Sequence, residues 1–393
     1  MDGLNVGVIG CGTAGAAAAL LLARGGNRVT ILERVREPGP VGAGIVLQPT
    51  GQAVLARLGL LAQIEERGAR LDRLWCRTSR GRTLVDLAYA RVEPRWFGIG
   101  IHRGVLFESL YRAACAEPGV TVQTGVEVRE LTSMRPDYDL IVIADGAVSE
   151  LRDAAAKTTR DAPYRFGALW FVGRDPDRIF TNEGELYQVA VRARRLYGAL
   201  PTGLGPHGDT PLVSLFWSLA SDQLDAFRSR GLDAWKDDVR ALDPRIAPVL
   251  DQIRSIDDLV FARYRDVRMS RWIDRGVVFI GDAAHATSPQ LGQGANLALL
   301  DAYALADAIS SSTTVDHALQ TYTRTRRGHL RHYQRMTRWL TPFFQSDSKV
   351  IGWLRDWLFP LGNALPPVRG YMIRTMSGVR HIGSLRALTS TRA

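Results

Sequence analysis

The stretch that decides the fold is Asn5-Val6-Gly7-Val8-Ile9-Gly10-Cys11-Gly12-Thr13-Ala14-Gly15. The apolar run before Gly10 has the composition of a short buried strand, and the alanine-rich run that follows Gly15 predicts a helix. The three glycines of Gly10-x-Gly12-x-x-Gly15 therefore fall in a turn that leads from a strand directly into a helix.

Each glycine of this turn has a physical reason in a dinucleotide-binding fold. Gly10 permits the tight turn, Gly12 lets the backbone approach a pyrophosphate, and Gly15 lets the helix pack on the strand. The start of the helix, at Thr13 and Ala14, offers unpaired N–H groups and a partial positive charge to the phosphates.

A second strand supports this interpretation. Residues 28–32 are strand-like and end in Glu33, which lies 23 residues beyond Gly10. A carboxylate at that position can accept hydrogen bonds from the hydroxyls of an adenosine ribose. Together these features favour a dinucleotide site over a plain glycine-rich turn.

Composition describes an ordinary globular protein. The chain has 393 residues, 46% hydrophobic and 23% charged, which is enough for two domains. The apolar run at 14–23 is far shorter than the ~20 residues of a membrane span. The first strand begins at Leu4, so we expect no cleavable signal, no membrane span and a cytoplasmic location. The three cysteines (Cys11, Cys76, Cys115) are scattered without metal-ligand spacing and are odd in number, so we expect no metal site and no disulfide framework.

The charge is strongly positive, at +10, and arginines greatly outnumber lysines. Such an excess is compatible with nucleic-acid binding. The arginines are spread through the chain, however, and no basic block is interleaved with aromatic residues. The densest run, Arg324 to Arg338, is predicted to be the solvated face of a helix, and we expect no nucleic-acid partner.

The order of predicted elements indicates an α/β fold with a discontinuous first domain. Alternating strands and helices assign 1–72, 97–160 and 271–340 to a nucleotide-binding domain. Strand-rich segments assign 73–96, with a hairpin turn at Ser79-Arg80-Gly81-Arg82, and 161–270 to an inserted, mainly β domain. A helix is expected over 222–242 within this insertion. Residues 341–393 should form short helices that Pro360, Pro366 and Pro367 break.

Three further stretches, with the first, make the chain resemble a known family. Asp145-Gly146-Ala147-Val148-Ser149-Glu150-Leu151-Arg152 resembles an Asp-Gly motif, and Gly281-Asp282-Ala283-Ala284-His285-Ala286-Thr287-Ser288-Pro289 resembles a Gly-Asp motif. His102-Arg103-x-x-Leu106 is similar to a flavin-contacting segment. All are features of the single-component FAD-dependent monooxygenases of the para-hydroxybenzoate and salicylate hydroxylase type. The resemblance implies a glutathione-reductase-like Rossmann FAD domain, an inserted β-sheet substrate domain and C-terminal helices.

The resemblance also implies residue roles. Asp282 would accept hydrogen bonds from the ribityl hydroxyls of FAD, Arg103 would reach the cofactor, and Glu33 and Arg34 would hold its adenosine end. The turn before the helix at 294 would lie against the flavin ring, with its helix N-terminus stabilising the negative charge of reduced flavin. The resemblance implies that the cofactor-binding residues of this segment would be Pro289, Gly292, Gly294 and Asn296. His285 is expected to brace the turn rather than to act as a base.

The mechanism implied by the resemblance uses NADH or NADPH and O2. The nicotinamide cofactor would reduce FAD transiently, with Asp145 and the segment to Arg152 implicated in its binding. O2 would then form a flavin C4a-hydroperoxide that transfers one oxygen atom to an aromatic or polycyclic small molecule. The protein would have to exclude water from that species.

The substrate site is less well determined by the sequence. Trp170, Phe216 and Trp217 of the inserted sheet are candidates, although core packing explains each equally well. Alternation along a strand sends Phe216 and Trp217 to opposite faces, so at most one of them lines a given pocket. No catalytic residue and no substrate-activating His or Tyr can be placed, which leaves hydroxylation of a phenol and oxygenation of an apolar polycycle both open.

Other functions remain open on the same motifs. A flavin-dependent halogenase would carry a Trp-x-Trp-x-Ile-Pro motif, which the sequence lacks. A flavin-dependent reductase on the same FAD fold is a further alternative. A plain NAD-dependent dehydrogenase would share the first motif but would not need the Gly281-Asp282 block. A flavin-holding or nucleic-acid-binding protein without turnover is the alternative from another class.

Overall fold

The computed structural model describes residues 1–40, 42–152, 157–385 and 388. The strands are, in chain order, β1 Asn5–Ile9, β2 Arg28–Glu33, β3 Gly44–Leu47, β4 Ala69–Leu71, β5 Arg73–Thr78, β6 Thr83–Ala88, β7 Gly98–His102, β8 Val120–Thr124, β9 Leu140–Ile143, β10 Lys157–Pro163, β11 Phe166–Arg174, β12 Glu185–Val191, β13 Arg195–Leu204, β14 Pro211–Ala220, β15 Val260–Ala262, β16 Arg265–Arg271, β17 Ile273–Asp274 and β18 Val277–Phe279. The α-helices are α1 Thr13–Arg24, α2 Pro49–Arg57, α3 Leu61–Arg67, α4 Arg103–Ala116, α5 Ile179–Glu183, α6 Leu224–Arg230, α7 Leu232–Leu242, α8 Ala247–Leu250, α9 Asp282–His285, α10 Gly294–Ser310, α11 Val315–Phe344, α12 Lys349–Ala364 and α13 Pro366–Met376.

The first sheet is mostly parallel and has the order β17-β18-β9-β1-β2-β8. β1 pairs in parallel with β2 on one side and with β9 on the other, and β18 pairs in parallel with β9. Parallel strands end at one edge of a sheet, so the segments after β2, β1, β9 and β18 converge there. Those segments hold Glu33, the glycine turn, Asp145 and Asp282, which confirms the predicted α/β class.

The second sheet has the order β15-β11-β14-β13-β12-β5-β6. The hairpin of β5 and β6 joins strands that lie about a hundred residues later in the chain, because β5 pairs in parallel with β12. This arrangement supports the predicted insertion, although the domain boundaries themselves stay a prediction. The helix expected over 222–242 is two helices, α6 and α7, because Gly231 between them adopts a φ of +90°.

The C-terminal segment differs from expectation at one proline. α12 continues through Pro360 to Ala364, so the predicted break at this residue is wrong. A proline removes one backbone hydrogen bond, and here the packing of Phe359 against Phe343, with ring centroids 5.3 Å apart, supports the turn. Pro366 and Pro367 do mark a boundary, because α13 begins there and a proline is tolerated in a first turn.

The length and hydropathy of the helices can be compared with the expectation that the chain has no membrane span. In the described parts of the chain, no helix has both the length and the apolar character that crossing a bilayer requires.

Candidate functional site

The glycine turn between β1 and α1 shows why each glycine is needed. Gly10 has a φ of +96°, and a Cβ there would lie 2.7 Å from the carbonyl oxygen of Ala144. A Cβ on Gly15 would lie 2.0 Å from the carbonyl oxygen of Gly10. A Cβ on Gly12 would meet nothing within 4 Å, so the backbone at Gly12 faces open space. The turn is therefore packed tightly on the protein side and open where a pyrophosphate would approach.

Glu33 lies at the end of β2 beside this turn. Its Oε2 accepts a 2.8 Å hydrogen bond from the amide of Cys11, and its Oε1 accepts a 2.9 Å bond from the amide of Val35. These bonds fix the carboxylate at the sheet edge and orient it next to the glycine turn. Arg34 follows as an exposed side chain on the same edge.

Asp145 follows β9 at the same sheet edge. Its Oδ1 is buried and has no hydrogen-bond partner within the described residues. Burial raises the pKa of this carboxyl above its ordinary value, against the opposing effects of the nearby Ser149 hydroxyl and the charge of Arg152. A buried oxygen of this kind is costly unless a bound group supplies a donor.

Arg152 has a different place from the one that the resemblance suggested. Its side chain is buried, its Nε donates a 2.7 Å hydrogen bond to the carbonyl of Ala283, and its Nη1 pairs with Asp161. The guanidinium thus joins the Asp-Gly motif to the Gly-Asp motif. We interpret Arg152 as a positioning residue rather than as a contact for a nicotinamide cofactor.

The Gly-Asp segment packs directly on the glycine turn. Gly281 has a φ of +60°, and a Cβ there would lie 2.8 Å from the Cβ of Ala14. Asp282 follows at the start of α9 with its side chain exposed, so its carboxylate is accessible to a ligand. The structure therefore brings the beginning and the last third of the chain to one sheet edge.

The segment from Pro289 to Gly294 leads into α10. Pro289 opens a short 3-10 helix, Gly292 is left-handed with a φ of +59°, and Gly294 is the exposed first residue of α10. The first N–H groups of any helix have no intrahelical partner. This N-terminus is therefore available to a negatively charged group.

Asn296 has a structural role in addition to its predicted one. The side chain is fully buried, its Oδ1 accepts a 2.8 Å bond from the amide of Gln48, and its Nδ2 donates to the carbonyls of Val46 and Gly292. The side-chain amide thus holds α10 against β3 and α2. The side chain is therefore occupied by contacts within the protein, and Asn296 has no exposed surface.

Arg103 lies at the start of α4, and its side chain is exposed. Its backbone amide donates a 3.1 Å bond to the carbonyl of Ala43, and a Cβ on Gly42 would lie 3.1 Å from its Cδ. The glycine-rich loop around 42–44 therefore packs along the stem of Arg103. Val41 lies outside the described residues.

A buried ionic cluster lies behind the Gly-Asp segment. Asp301 accepts bonds from the amide of Gly281 at 2.9 Å, from Arg326 Nε at 2.7 Å and from His285 Nε2 at 2.5 Å. Burial alone would raise the pKa of Asp301, but His285 and Arg326 outweigh it and hold this pKa well below its ordinary value. Arg326 has no exposed surface, so the prediction that Arg324 to Arg338 is a solvated face is wrong at this residue.

The ionic cluster around Asp301 holds the turn that carries Asp282 in place. His285 and Arg326 both bond to Asp301, which in turn bonds to the backbone of Gly281, so His285 braces the turn that carries Asp282. The residue Asp301 and its partner on α11 were not predicted. The one sequence feature that could have indicated this cluster is the position of an acidic residue, Asp301, among the apolar residues of α10.

The geometry fits FAD as the bound group. The open backbone of Gly12, the carboxylates of Glu33 and Asp282, and the N-terminus of α10 line one edge of the first sheet. Buried oxygens without a partner in the described residues occur beside this line at Asp145, Ser288 and Gln293. The residues present match a dinucleotide with a phosphate group, ribose hydroxyls and a polar ring.

The predicted substrate aromatics separate onto two faces of the second sheet. Trp170 and Phe216 are register partners on β11 and β14, half-buried, with ring centroids 5.0 Å apart. Trp217 points to the opposite face, is 3% exposed and packs edge-on against Trp235 of α7 at 6.3 Å. Its placement in the core under α6 and α7 makes the prediction of Trp217 as a substrate contact wrong.

Two tyrosines extend the aromatic face, and neither was predicted. Trp170 Nε1 donates a 3.0 Å hydrogen bond to the hydroxyl oxygen of Tyr264. The hydroxyls of Tyr164 and Thr287 lie 3.4 Å apart. Burial raises the pKa of Tyr264 to about 12, against the bond from Trp170, so Tyr264 is a hydrogen-bond donor and a poor base near neutral pH. Both tyrosines follow strand ends, where sequence periodicity carries little information.

This aromatic face adjoins the predicted cofactor loop. Val267, three residues after Tyr264, donates its amide to the carbonyl of Ala286 at 2.9 Å. On the other side, Gln293 Nε2 donates a 2.5 Å bond to the carbonyl of Met376, and Met376 belongs to the apolar cluster against which Phe216 packs. The face is therefore bounded by the segment 282–294 and by α13.

The comparisons with known protein families agree with this geometry. A model of the FAD binding domain family matches residues 3–337. The chain is 31% identical over 319 residues to 6-methylpretetramide 4-monooxygenase of Streptomyces rimosus, which covers 76% of this chain and 73% of that protein. It is 26% identical over 333 residues to 3-hydroxybenzoate 6-hydroxylase of Klebsiella oxytoca, covering 77% and 79%.

Solved structures share the fold. HpxO of Klebsiella pneumoniae, in a variant complexed with FAD, superposes with a TM-score of 0.77 at 20% identity over 95% of this chain and 99% of that chain. PqsL of Pseudomonas aeruginosa, in complex with 2-aminobenzoylacetate, superposes with a TM-score of 0.73 at 22% identity over 89% and 99%.

Proposed function

From the premise that this chain belongs to the FAD-binding domain family and is an FAD-dependent monooxygenase, we propose that it oxygenates an apolar aromatic or polycyclic compound. NADH or NADPH serves as the transient reductant, and O2 supplies the oxygen atom. We place the reaction in the cytoplasm and assign it no nucleic-acid partner. The proposed FAD domain comprises 1–72, 97–160 and 271–340, the substrate domain 73–96 and 161–270, and the C-terminal segment 341–393.

The proposal rests above all on one juxtaposition. The face of Trp170 and Phe216 adjoins the loop before α10, where the flavin ring is expected, and its two central side chains are aromatic rings that pack on each other. Apolar pockets with a few polar groups select apolar rings. The hydroxyls of Tyr264, bonded to Trp170, and of Tyr164, near Thr287, supply polar groups beside these rings.

The chain's own residues have distinct tasks in this reaction. FAD, when bound, supplies the redox chemistry that takes a hydride and activates O2. Gly12 and Glu33 bind the adenosine and phosphate end, while Arg103 and Asp282 hold the middle of the cofactor. The N-terminus of α10 stabilises negative charge on the reduced ring system. Trp170 and Phe216 orient the substrate and exclude water.

The experiment is oxidation of NADH and of NADPH in air, with FAD supplied, across phenols, heteroaromatics and quinones. Acceleration by one class, with isotopically labelled O2 incorporated into the product, supports the proposal and names the substrate class. A flavin-loaded protein whose slow oxidation no aromatic compound stimulates contradicts it and favours a reductase or a non-catalytic flavin protein. A halogenated product formed only with halide present would instead favour a halogenase.

A further inference from the structure

Large apolar side chains on α12 and α13 are exposed to solvent along one continuous side. Their spacing of three or four residues places them on the same side of α12, and the series continues into α13. Trp353 is 63% exposed and Leu361 is 59% exposed. We call this set the exposed apolar face; its members are Val350, Trp353, Leu354, Trp357, Leu358, Leu361, Leu365 and Val368.

The exposed apolar face belongs to a firmly anchored helix. On the other side of α12, Arg355 is completely buried, and its Nη1 donates bonds to the carbonyls of Arg192 at 2.6 Å and Phe343 at 3.0 Å. Asn363 Oδ1 accepts a 2.9 Å bond from the amide of Asp86 on β6. The direction in which the apolar side chains point is therefore fixed by the fold.

Positive charge predominates in the C-terminal part of the chain, where Lys349 at the start of α12 and Arg374 of α13 are exposed, while Arg326 and Arg355 are buried. Residues 315–385 contain eleven arginine and lysine residues against three aspartates. Two of these aspartates are already paired, Asp347 with Arg165 and Asp356 with Arg355. The guanidinium of Arg82, on the exposed β5–β6 turn, lies 5.0 Å from the ring of Trp357. Arg82 and the exposed Lys349 thus place positive charge next to the exposed apolar face.

We propose that the exposed apolar face docks on the surface of an anionic lipid bilayer. Tryptophan and leucine side chains enter the boundary between headgroups and acyl chains, while arginines meet the anionic headgroups. A second copy of this chain is a poorer occupant, since both copies would bring the positive charge of Arg82 and Lys349 to the same contact. The docking is interfacial, in agreement with the lack of a spanning helix among the described residues.

The position of this face connects it to the candidate substrate site. α13 contributes Ile373 and Met376 to the apolar cluster that includes Phe216. The helix α13, which borders the aromatic face, therefore follows directly in the chain on α12, which carries most of the exposed apolar face. If the proposed apolar substrate class holds, the bilayer can act as its reservoir, but the docking itself does not depend on that class.

The test is co-sedimentation of the full-length, FAD-loaded protein with vesicles. One set is pure phosphatidylcholine, and the other contains one quarter phosphatidylglycerol. We expect binding to the anionic set, weaker binding to the neutral set, loss of binding at high salt and a blue shift of tryptophan emission. The double variant Trp353→Gln/Leu361→Gln should reduce the partition coefficient about tenfold or more, while Val260→Gln, an equally exposed apolar residue elsewhere, should not change it.

The results of these experiments distinguish a lipid bilayer from a second copy of this chain as the partner of the exposed apolar face. The proposal is overturned if the native protein ignores anionic vesicles, or if the double variant binds as well as the native protein. It is also overturned if the native protein is a dimer in solution that the double variant dissociates while vesicles bind neither. Should the double variant fold poorly by circular dichroism, Val350→Gln against Val260→Gln provides the matched pair. Turnover of a water-soluble substrate without vesicles reports on the proposed function separately.

Discussion

His285 Nε2 lies 2.5 Å from Asp301 Oδ2, and both side chains are buried behind the turn that carries Asp282. The other carboxylate oxygen of Asp301 accepts a 2.7 Å bond from Arg326, which has no exposed surface. The cluster therefore connects α9, α10 and α11 through one carboxylate. A buried carboxylate with two cationic or hydrogen-bonding partners is costly to disrupt at any one member.

The first prediction concerns the free energy of unfolding. Asp301→Asn leaves Arg326 buried without its counter-charge, and we expect a loss of about 3–5 kcal/mol. Asp307→Asn, on the same helix but exposed, should change stability by less than about 0.5 kcal/mol. Urea unfolding followed by circular dichroism measures both. Equal stability of the two variants would show that the cluster contributes nothing.

The second prediction concerns the pH dependence of stability. Burial lowers the pKa of His329 to about 3, with the charge of Arg326 acting in the same direction. Below roughly pH 6.5 the unfolded chain binds a proton at this histidine and the folded chain does not. The free energy of unfolding therefore falls as the pH drops from roughly 6.5 toward the folded-state pKa of about 3. The slope due to one such group approaches about 1.4 kcal/mol per pH unit.

The variant His329→Gln tests this assignment. It should flatten the dependence of the unfolding free energy on pH between roughly pH 4 and pH 6, even if it lowers stability at neutral pH. His207→Gln, at an exposed histidine, should leave the slope unchanged. An unaltered slope in the His329 variant would assign the effect to other groups.

These two predictions involve residues that the sequence alone did not reveal, and the reason is physical. The glycine turn, Glu33 and Asp282 could be predicted because local turn chemistry and strand ends determine their positions. Asp301, Arg326 and Tyr264 depend on contacts between elements distant in the chain, which periodicity does not encode. Trp217 was placed in the wrong environment because alternation separates two faces without saying which one is the core.

The third prediction separates folding from cofactor binding within the glycine turn. A Cβ at position 12 has free space in the protein, so Gly12→Ala should fold with near-native stability but weaken FAD binding at least about tenfold by crowding the phosphates. Gly15→Ala would place its Cβ 2.0 Å from the carbonyl oxygen of Gly10, so it should lower stability by about 2 kcal/mol or more. Flavin titration and thermal unfolding of the apoprotein measure the two effects. Tight FAD binding by the Gly12 variant would contradict the assigned pyrophosphate position.

The fourth prediction concerns Asp282. Its carboxylate is exposed at the sheet edge, where the ribityl hydroxyls of FAD are expected, so Asp282→Ala should release flavin on dilution or gel filtration. Asp316→Ala removes an exposed acid from a first helical turn elsewhere and serves as the control for a general effect on a helix start. The absorbance ratio of flavin to protein after purification is the measurement. A fully yellow Asp282 variant would remove this residue from the cofactor site.

The fifth prediction tests the two faces of β14. Phe216→Ala should lower kcat/KM for the preferred substrate and change the order of preference among ring sizes, because this ring lines the face that adjoins the cofactor loop. Trp217→Ala should instead cost about 3–5 kcal/mol of stability, since it empties a core position against Trp235. Steady-state kinetics below the unfolding transition, with thermal unfolding of both variants, distinguish the roles. If the folded Trp217 variant changed substrate preference while Phe216→Ala did not, the assignment of the two faces would have to be reversed.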